Sequence, residues 1–156
     1  MNLKLLSAVL AVLVAVALTP PVAQAAGRGT SATKQDPNFT AGKKAAQAGD
    51  YEKAIADLIK AVQASPKNAD AYNLLGYSYK NLGRFAEAFE SYAKALAINP
   101  KHRGAHEYIG EAYLAVGNLT KAEEHLKRLD SLCFFGCEEY SDLKKAIASY
   151  KAKHGA

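Results

Sequence analysis

Cys133 and Cys137 are the side chains whose type and spacing come nearest to a chemical motif. They are the only two cysteines among 156 residues, and three residues separate them in the stretch SLCFFGCEEY. Covalent haem attachment needs a histidine directly after the second cysteine, where this chain has Glu138. Thiol oxidoreductases of the thioredoxin type have a two-residue spacer instead. Two interpretations stay open: a disulfide that fixes a joint, and a redox-active or metal-binding pair.

The histidines add little support for a metal site. His102 and His106 are four residues apart, which is the spacing of two ligands on one face of a helix. However, His106 falls at a packing position of the repeat described below, and His102 precedes a predicted helix. No histidine adjoins the cysteines, and structural metal sites usually need four ligands. We therefore expect no metal ion and no other cofactor.

Catalytic motifs are missing from the rest of the sequence. Serines, histidines and carboxylates are present, but there is no nucleophile elbow, phosphate-binding glycine loop or metalloprotease helix. We predict that the protein is not an enzyme.

The first 25 residues have the three parts of a secretory signal. Lys4 supplies a short positive start, an apolar run extends from Leu5 to Leu18, and small residues stand at Ala23 and Ala25. The apolar run is too short to cross a bilayer comfortably, which takes about 20 residues. We predict cleavage after Ala25 and a periplasmic or secreted mature chain without a membrane span. Such a compartment favours the disulfide interpretation of the cysteine pair.

The charge pattern argues against a nucleic-acid partner. The chain has 20 lysines and arginines against 15 aspartates and glutamates, and only Lys4 of these lies in the signal segment. The remaining positive excess is mild, and basic residues alternate with acidic ones instead of clustering with aromatic side chains.

A repeat of 34 residues organises the rest of the chain. Several kinds of position keep this step: Gly42, Gly76 and Gly110; Gly49, Gly83 and Gly117; Ala54, Ala88 and Ala122; Leu58, Tyr92 and Leu126; and Pro66 and Pro100. Between them, apolar and small residues recur at intervals of three and four, which is the period of a helix. Small residues let two helices approach closely. Gly49, Gly83 and Gly117 end the first helix of each repeat, and Pro66 and Pro100 follow the second helix and cannot continue it. Each repeat is therefore predicted to be a helical hairpin.

The pattern resembles the tetratricopeptide repeat (TPR). The clearest unit reads Tyr72-x-x-Leu75-Gly76-x-x-Tyr79, followed by Ala88, Tyr92 and Pro100. The resemblance implies an all-α fold, a right-handed α-solenoid of three TPR helical hairpins plus a capping helix. Stacking is needed because no single hairpin buries its apolar face alone.

The predicted domain organisation begins with a signal peptide at 1–25 and a flexible segment at 26–35, before a TPR domain at 36–156. The repeats lie at about 35–68, 69–102 and 103–136, with helices at 37–48, 51–64, 69–82, 85–98, 103–116 and 119–132. An amphipathic helix near 138–153 is expected to cap the last repeat. A disulfide between Cys133 and Cys137 would fix its angle, with Phe134 and Phe135 packed at the joint.

The resemblance places a partner site on the concave face, which TPR proteins line with the first helix of each hairpin. The implied positions are Phe39, Lys43, Asn73, Tyr77, Lys80, Asn81, Glu107 and Glu111. Tyr77 and Phe39 are expected to give flat apolar contact, and Lys80 and Asn81 to hold a partner's backbone or acidic side chain.

One known variant of this site, the carboxylate clamp of chaperone-binding TPR domains, is not matched. Phe39 stands where its first lysine should be, and Gly104 and Tyr108 where its last basic pair should be.

The expected function is that of an exported scaffold or adaptor that binds a protein or peptide partner on its concave face. The alternative is a redox- or metal-handling envelope protein in which Cys133 and Cys137 are the active feature. A disulfide inert to mild reductant would favour the first function, and a readily exchanging pair the second.

Overall fold

The computed structural model describes residues 36–155 of the chain, which contain seven α-helices joined by short turns and no strand. The helices are α1 (Pro37–Gln47), α2 (Tyr51–Ala64), α3 (Ala69–Asn81), α4 (Phe85–Ile98), α5 (Arg103–Ala115), α6 (Leu119–Leu132) and α7 (Glu138–His154). Each begins at its predicted residue and ends within one residue of its predicted end. The predicted all-α solenoid is confirmed.

The predicted signal peptide and flexible segment, residues 1–35, lie outside the described residues. Within residues 36–155, no helix is long and apolar enough to cross a membrane.

Polar side chains at the helix starts explain why the boundaries fall where they do. Asp36, Asp50, Asn68 and Asn118 each accept a hydrogen bond from a backbone N–H of the first turn. These bonds satisfy donors that the start of a helix leaves without a partner. At the other end of α3, Gly83 has a φ of 74°, a conformation that glycine adopts at little cost.

Glycine allows the two helices of a hairpin to approach closely. A Cβ atom at Gly76 would lie 2.7 Å from the ring of Tyr92, and one at Gly42 would lie 2.6 Å from Cγ of Leu58. Both Leu58 and Tyr92 are fully buried. A larger residue at either glycine would therefore push the helices of that hairpin apart.

The buried side chains form two clusters. The first contains side chains of α1, α2, α3 and α4, together with Ile109 and Ala112 of α5. The second joins α5, α6 and α7, with Leu129 and Leu143 fully buried at its centre. The last helix is thus part of the core, because its apolar side chains fill the second cluster.

A disulfide joins Cys133, at the end of α6, to Cys137, directly before α7. Phe134 and Phe135 lie inside this small ring and are 91% and 97% exposed. The expectation that they pack at the joint is therefore wrong. The space between α6 and α7 is already filled by the second apolar cluster, and the two phenylalanines contact each other instead, with ring centroids 5.0 Å apart.

Candidate functional site

The first helices of the hairpins lie side by side, with α3 in contact with both α1 and α5. Three cavities along these helices have volumes of about 450, 290 and 290 Å³. The first and second share Lys43 and Leu74, the second and third share Asn73 and Leu74, and the first and third share Tyr108. Because the lining residues are shared, the three cavities form one continuous surface, which we call the groove.

A separate cavity of about 580 Å³ lies between α5 and α7 and shares no lining residue with the groove. It is lined mainly by the last turns of α7, including Tyr150 and His154.

A cluster of tyrosines lies in the groove. The ring centroids of Tyr77 and Tyr108 are 4.9 Å apart, and Tyr51 meets Tyr77 edge-on at 5.9 Å. The Nζ atom of Lys80 lies 5.4 and 5.3 Å from the centroids of Tyr77 and Tyr108, and Glu111 accepts a charge-assisted hydrogen bond from it. Burial raises the pKa of Tyr77, and it raises that of Tyr108 to about 12. Both rings are therefore neutral and fixed against each other.

The predicted site residues of α1 and α3 meet different surroundings. Lys43 is exposed and lines two cavities of the groove. Asn73 is only 7% exposed. Lys80 is held by Glu111, so it is less free than the sequence suggested. Asn81 is exposed, and its Nδ2 donates to the carbonyl oxygen of Tyr77 at 2.8 Å.

Phe39 lines the second cavity of the groove but is mostly buried. Its side chain is 5% exposed and belongs to the first apolar cluster. It is the only large apolar residue of α1, and it lies one turn before Gly42 on the face that packs against α2. Its ring therefore packs in the core, and a flat contact with a ligand in the groove stays a prediction.

Several residues of the groove were not predicted, among them Tyr51 and Tyr108. The contacts between α3 and α5 follow a constant separation of 31 residues, as in Asn73 beside Gly104, Tyr77 on Tyr108, and Lys80 with Glu111. This separation is one helical turn less than the repeat. Applied to Tyr77, it would have found Tyr108, whereas Tyr51 has no comparable signal.

The third cavity of the groove is acidic. Of the described residues that line it, four are carboxylates and none is basic; the carboxylates are Glu107, Glu138, Glu139 and Asp142. Glu107 is 8% exposed. Burial, with added repulsion from nearby carboxylates, raises its pKa to about 8. This side chain is therefore mostly protonated at neutral pH.

The histidines serve packing and capping. His106 is buried, and its Nδ1 lies 2.9 Å from Nδ1 of His125. His102 precedes α5 and accepts a hydrogen bond from the N–H of Ala105. Among residues 36–155, no group of three or more histidine, cysteine or acidic side chains is arranged to hold a metal ion.

Comparison with known proteins identifies the repeat. Two family models described as tetratricopeptide repeat match residues 39–103 and 82–147. No curated protein matches the chain at a significant level.

Several solved structures are similar to this chain. The first TPR of Spaghetti (RPAP3), bound to the HSP90 peptide SRMEEVD, is 27% identical, with a TM-score of 0.64 over 74% of this chain and 90% of that chain. A structure described as MamA MSR-1 C2 is 32% identical, with a TM-score of 0.57 over 61% and 55%. The TPR2B domain of yeast Sti1, in a complex with pHsp70, has a TM-score of 0.69 over 78% and 98% at 19% identity, which shows likeness of fold.

Repeat models span most of the helical region, and TPR domains share its fold along most of their own length. The chain is a tetratricopeptide-repeat protein.

Proposed function

We propose that the protein is an exported TPR scaffold that binds an extended segment of a partner protein in the groove formed by α1, α3 and α5. The observation that carries this proposal is the continuity of the three cavities, which share Lys43, Leu74 and Asn73. A peptide as the class of ligand is supported by the RPAP3 domain, which is 27% identical and was solved with a peptide bound.

Tyr77 and Tyr108 supply the apolar part of this site. Their rings contact each other and are half-buried, so little side-chain freedom would be lost on binding. Lys80 lies over both rings and is paired with Glu111. We therefore assign Lys80 the role of holding the rings in place, in preference to direct contact with the ligand.

Lys43 and Asn81 supply exposed polar contacts. Lys43 lies where two cavities meet, and within residues 36–155 its side chain forms no ion pair. Its ammonium group is thus available to a backbone carbonyl or carboxylate of the ligand. Asn81 leaves its amide oxygen available, because only its Nδ2 is bonded to α3.

The ligand should differ from the acidic peptide of the RPAP3 structure. Gly104 and Tyr108 occupy positions where a carboxylate clamp would have basic residues, and Glu107 lies between them in sequence. An acidic peptide would meet repulsion at this end of the groove.

Export is part of the proposal. It is supported by the signal pattern of residues 1–25 and by a cysteine pair that suits an oxidising compartment. The protein isolated from its own cells should begin at Ala26 when its N-terminus is sequenced. An intact Met1 would contradict export by cleavage.

The binding function can be tested by selecting short random peptides, displayed on phage, on the purified protein. Lys43→Glu reverses a charge in the groove and should lower the affinity for the selected peptides roughly tenfold. Lys44→Glu makes the same change at the next residue, which lines none of the three cavities, and should leave binding close to the parent. Equal binding by both variants would contradict the groove as the site.

A further inference from the structure

The third cavity carries negative charge that helix stability does not explain. Glu138 and Glu139 lie in the first turn of α7, where the helix dipole favours carboxylates. Glu139 is also 3.4 Å from Nε of Arg103. Glu107 lies inside α5 and Asp142 beyond the first turn of α7, and within residues 36–155 neither has an ion-pair partner. The charge of Asp142 is therefore uncompensated, and Glu107 is mostly protonated in the absence of a cation.

Two nearby basic side chains are engaged elsewhere, and Lys101 lies in a neighbouring cavity that shares Gly104 and Glu139 with the third. Lys80 pairs with Glu111, and His102 lies 3.0 Å from Asp70. These contacts leave no cation of the described residues in the third cavity itself.

A second, independent feature points to a missing hydrogen-bond donor. Asn73 is 7% exposed and lines the same cavity as Glu107. Its Oδ1 atom is buried and has no hydrogen-bond partner among residues 36–155. A buried acceptor without a donor is costly. A ligand that donates hydrogen bonds would remove this cost.

We propose that the third cavity, between Asn73, Glu107 and Asp142, binds a lysine or arginine side chain of the partner segment. This inference rests on the proposed function, because it names the chemistry of the segment that the groove would hold. An ammonium or guanidinium group offers several donors and a positive charge, which match the amide oxygen and the two carboxylates.

The size of the cavity and the arrangement of its ligands favour an organic cation. A volume of about 290 Å³ is at the low end for binding pockets and suits one side chain. The carboxylates are not grouped as a metal ion requires. An ammonium group on a flexible stem tolerates acceptors spread around a cavity.

Binding at this site should be linked to loss of a proton. Burial, together with the charges of Glu111, Asp142 and Glu139 and against the opposing charge of Lys80, raises the pKa of Glu107 to about 8. A bound cation would stabilise the carboxylate and lower this pKa. Affinity for a basic peptide should therefore rise as the pH is raised through about 8.

The same phage selection tests the inference when it is repeated on Asp142→Asn and Glu107→Gln. Glu90→Gln is the matched control, because Glu90 is an exposed residue of α4 outside the groove. Peptides selected on the parent should be enriched in lysine or arginine. Synthetic copies should bind roughly tenfold more weakly to Asp142→Asn and to Glu107→Gln, but equally well to the control. The pH dependence should be absent in Glu107→Gln.

The outcomes separate the two proposals. Peptides that depend on Lys43 but show no basic preference would overturn the inference and leave the proposed function standing. Basic peptides that bind Asp142→Asn and Glu107→Gln as tightly as the parent would also overturn it. A failure to select any peptide would overturn both. If N-terminal acetylation of the synthetic peptide abolishes binding, the cation is a terminal ammonium group, and the side-chain assignment is wrong.

Discussion

The second and third hairpins fill the same packing position in different ways. In the second hairpin, the space beside Gly76 is filled by Tyr92, from the partner helix of that hairpin. In the third, a Cβ atom at Gly110 would lie 2.6 Å from Cδ2 of Leu143, which belongs to α7. Leu126, the repeat equivalent of Tyr92, is only partly buried.

This difference shows that α7 does more than cover an exposed apolar face. Leu143 supplies to the third hairpin the contact that Tyr92 supplies to the second, and both side chains are fully buried. The third hairpin is therefore completed by a helix that lies outside its repeat, and its stability depends on α7.

Leu143→Ala tests this dependence and should have the largest effect. Removing a fully buried leucine leaves a cavity beside Gly110, and such changes cost roughly 2–5 kcal/mol. Leu126→Ala is the matched control and should cost less, because Leu126 is partly exposed. Urea unfolding of both variants gives the free energies of unfolding. An equal or larger loss in Leu126→Ala would remove the distinction between the two hairpins.

The sequence predicted the helices well because their ends are determined locally. Asn68 at the start of α3 and Gly83 after its end act within a few residues, through a side-chain hydrogen bond and a left-handed turn. The small size of Gly76 also predicted a close contact between two helices. In the third hairpin, the residue that packs against Gly110 was not predictable. Leu126 keeps the repeat pattern, and no local feature of the sequence indicates that Leu143 packs there instead.

The candidate site was predictable only in part, because it depends on how neighbouring helices are aligned. Tyr77 was placed on the correct helix, but its contact with Tyr108 and the pairing of Lys80 with Glu111 need the alignment of α3 with α5. The acidic cavity needs α7 as well, since Asp142 joins Glu107 only in the folded chain. The burial of Phe39 was not predicted, because the repeat pattern does not record that α1 has one large apolar side chain.

The disulfide provides a second test of the joint between the third hairpin and α7. Replacing Cys133 and Cys137 by serine should lower the free energy of unfolding by about 2 kcal/mol, the chain-entropy value for a ring of this size. Partner binding should be nearly unchanged, because neither cysteine lines the groove. Thermal melting measures the loss of stability, and the affinity of the selected peptides measures partner binding. Titration of free thiols in the native protein shows whether the disulfide is formed. Two reactive thiols in the native protein would support the alternative, redox function of the pair.

The smallest predicted change in stability comes from the pair His106 and His125. This pair should make the third hairpin more sensitive to acid than the second. Nε2 of His106 is 3.1 Å from the carbonyl oxygen of Pro100, so it carries the proton and donates. Nδ1 of neutral His106 then accepts from Nδ1–H of His125. Protonation of both rings would place two donors against each other.

Burial, and then the charge of His106, lowers the pKa of His125 from 6.5 to about 4. Burial also lowers the pKa of His106. The unfolded chain therefore takes up protons that the folded chain does not. The stabilisation is fully present above pH 6.5 and is lost as the pH falls from 6.5 to about 4. Because His125 is partly exposed, we expect a loss of roughly 1 kcal/mol after allowance for solvent screening.

Hydrogen exchange at individual amides localises this loss. The repeat equivalents of the two histidines in the second hairpin are Tyr72 and Ser91, which do not titrate in this range. Amides of α5 and α6 should therefore lose protection between pH 6.5 and 4, while those of α3 and α4 change little. His125→Gln removes the titrating group and should flatten the response of α5 and α6. If both hairpins lose protection together in the parent and in His125→Gln, acid sensitivity does not arise from the histidine pair, and the third hairpin is not distinguished by it.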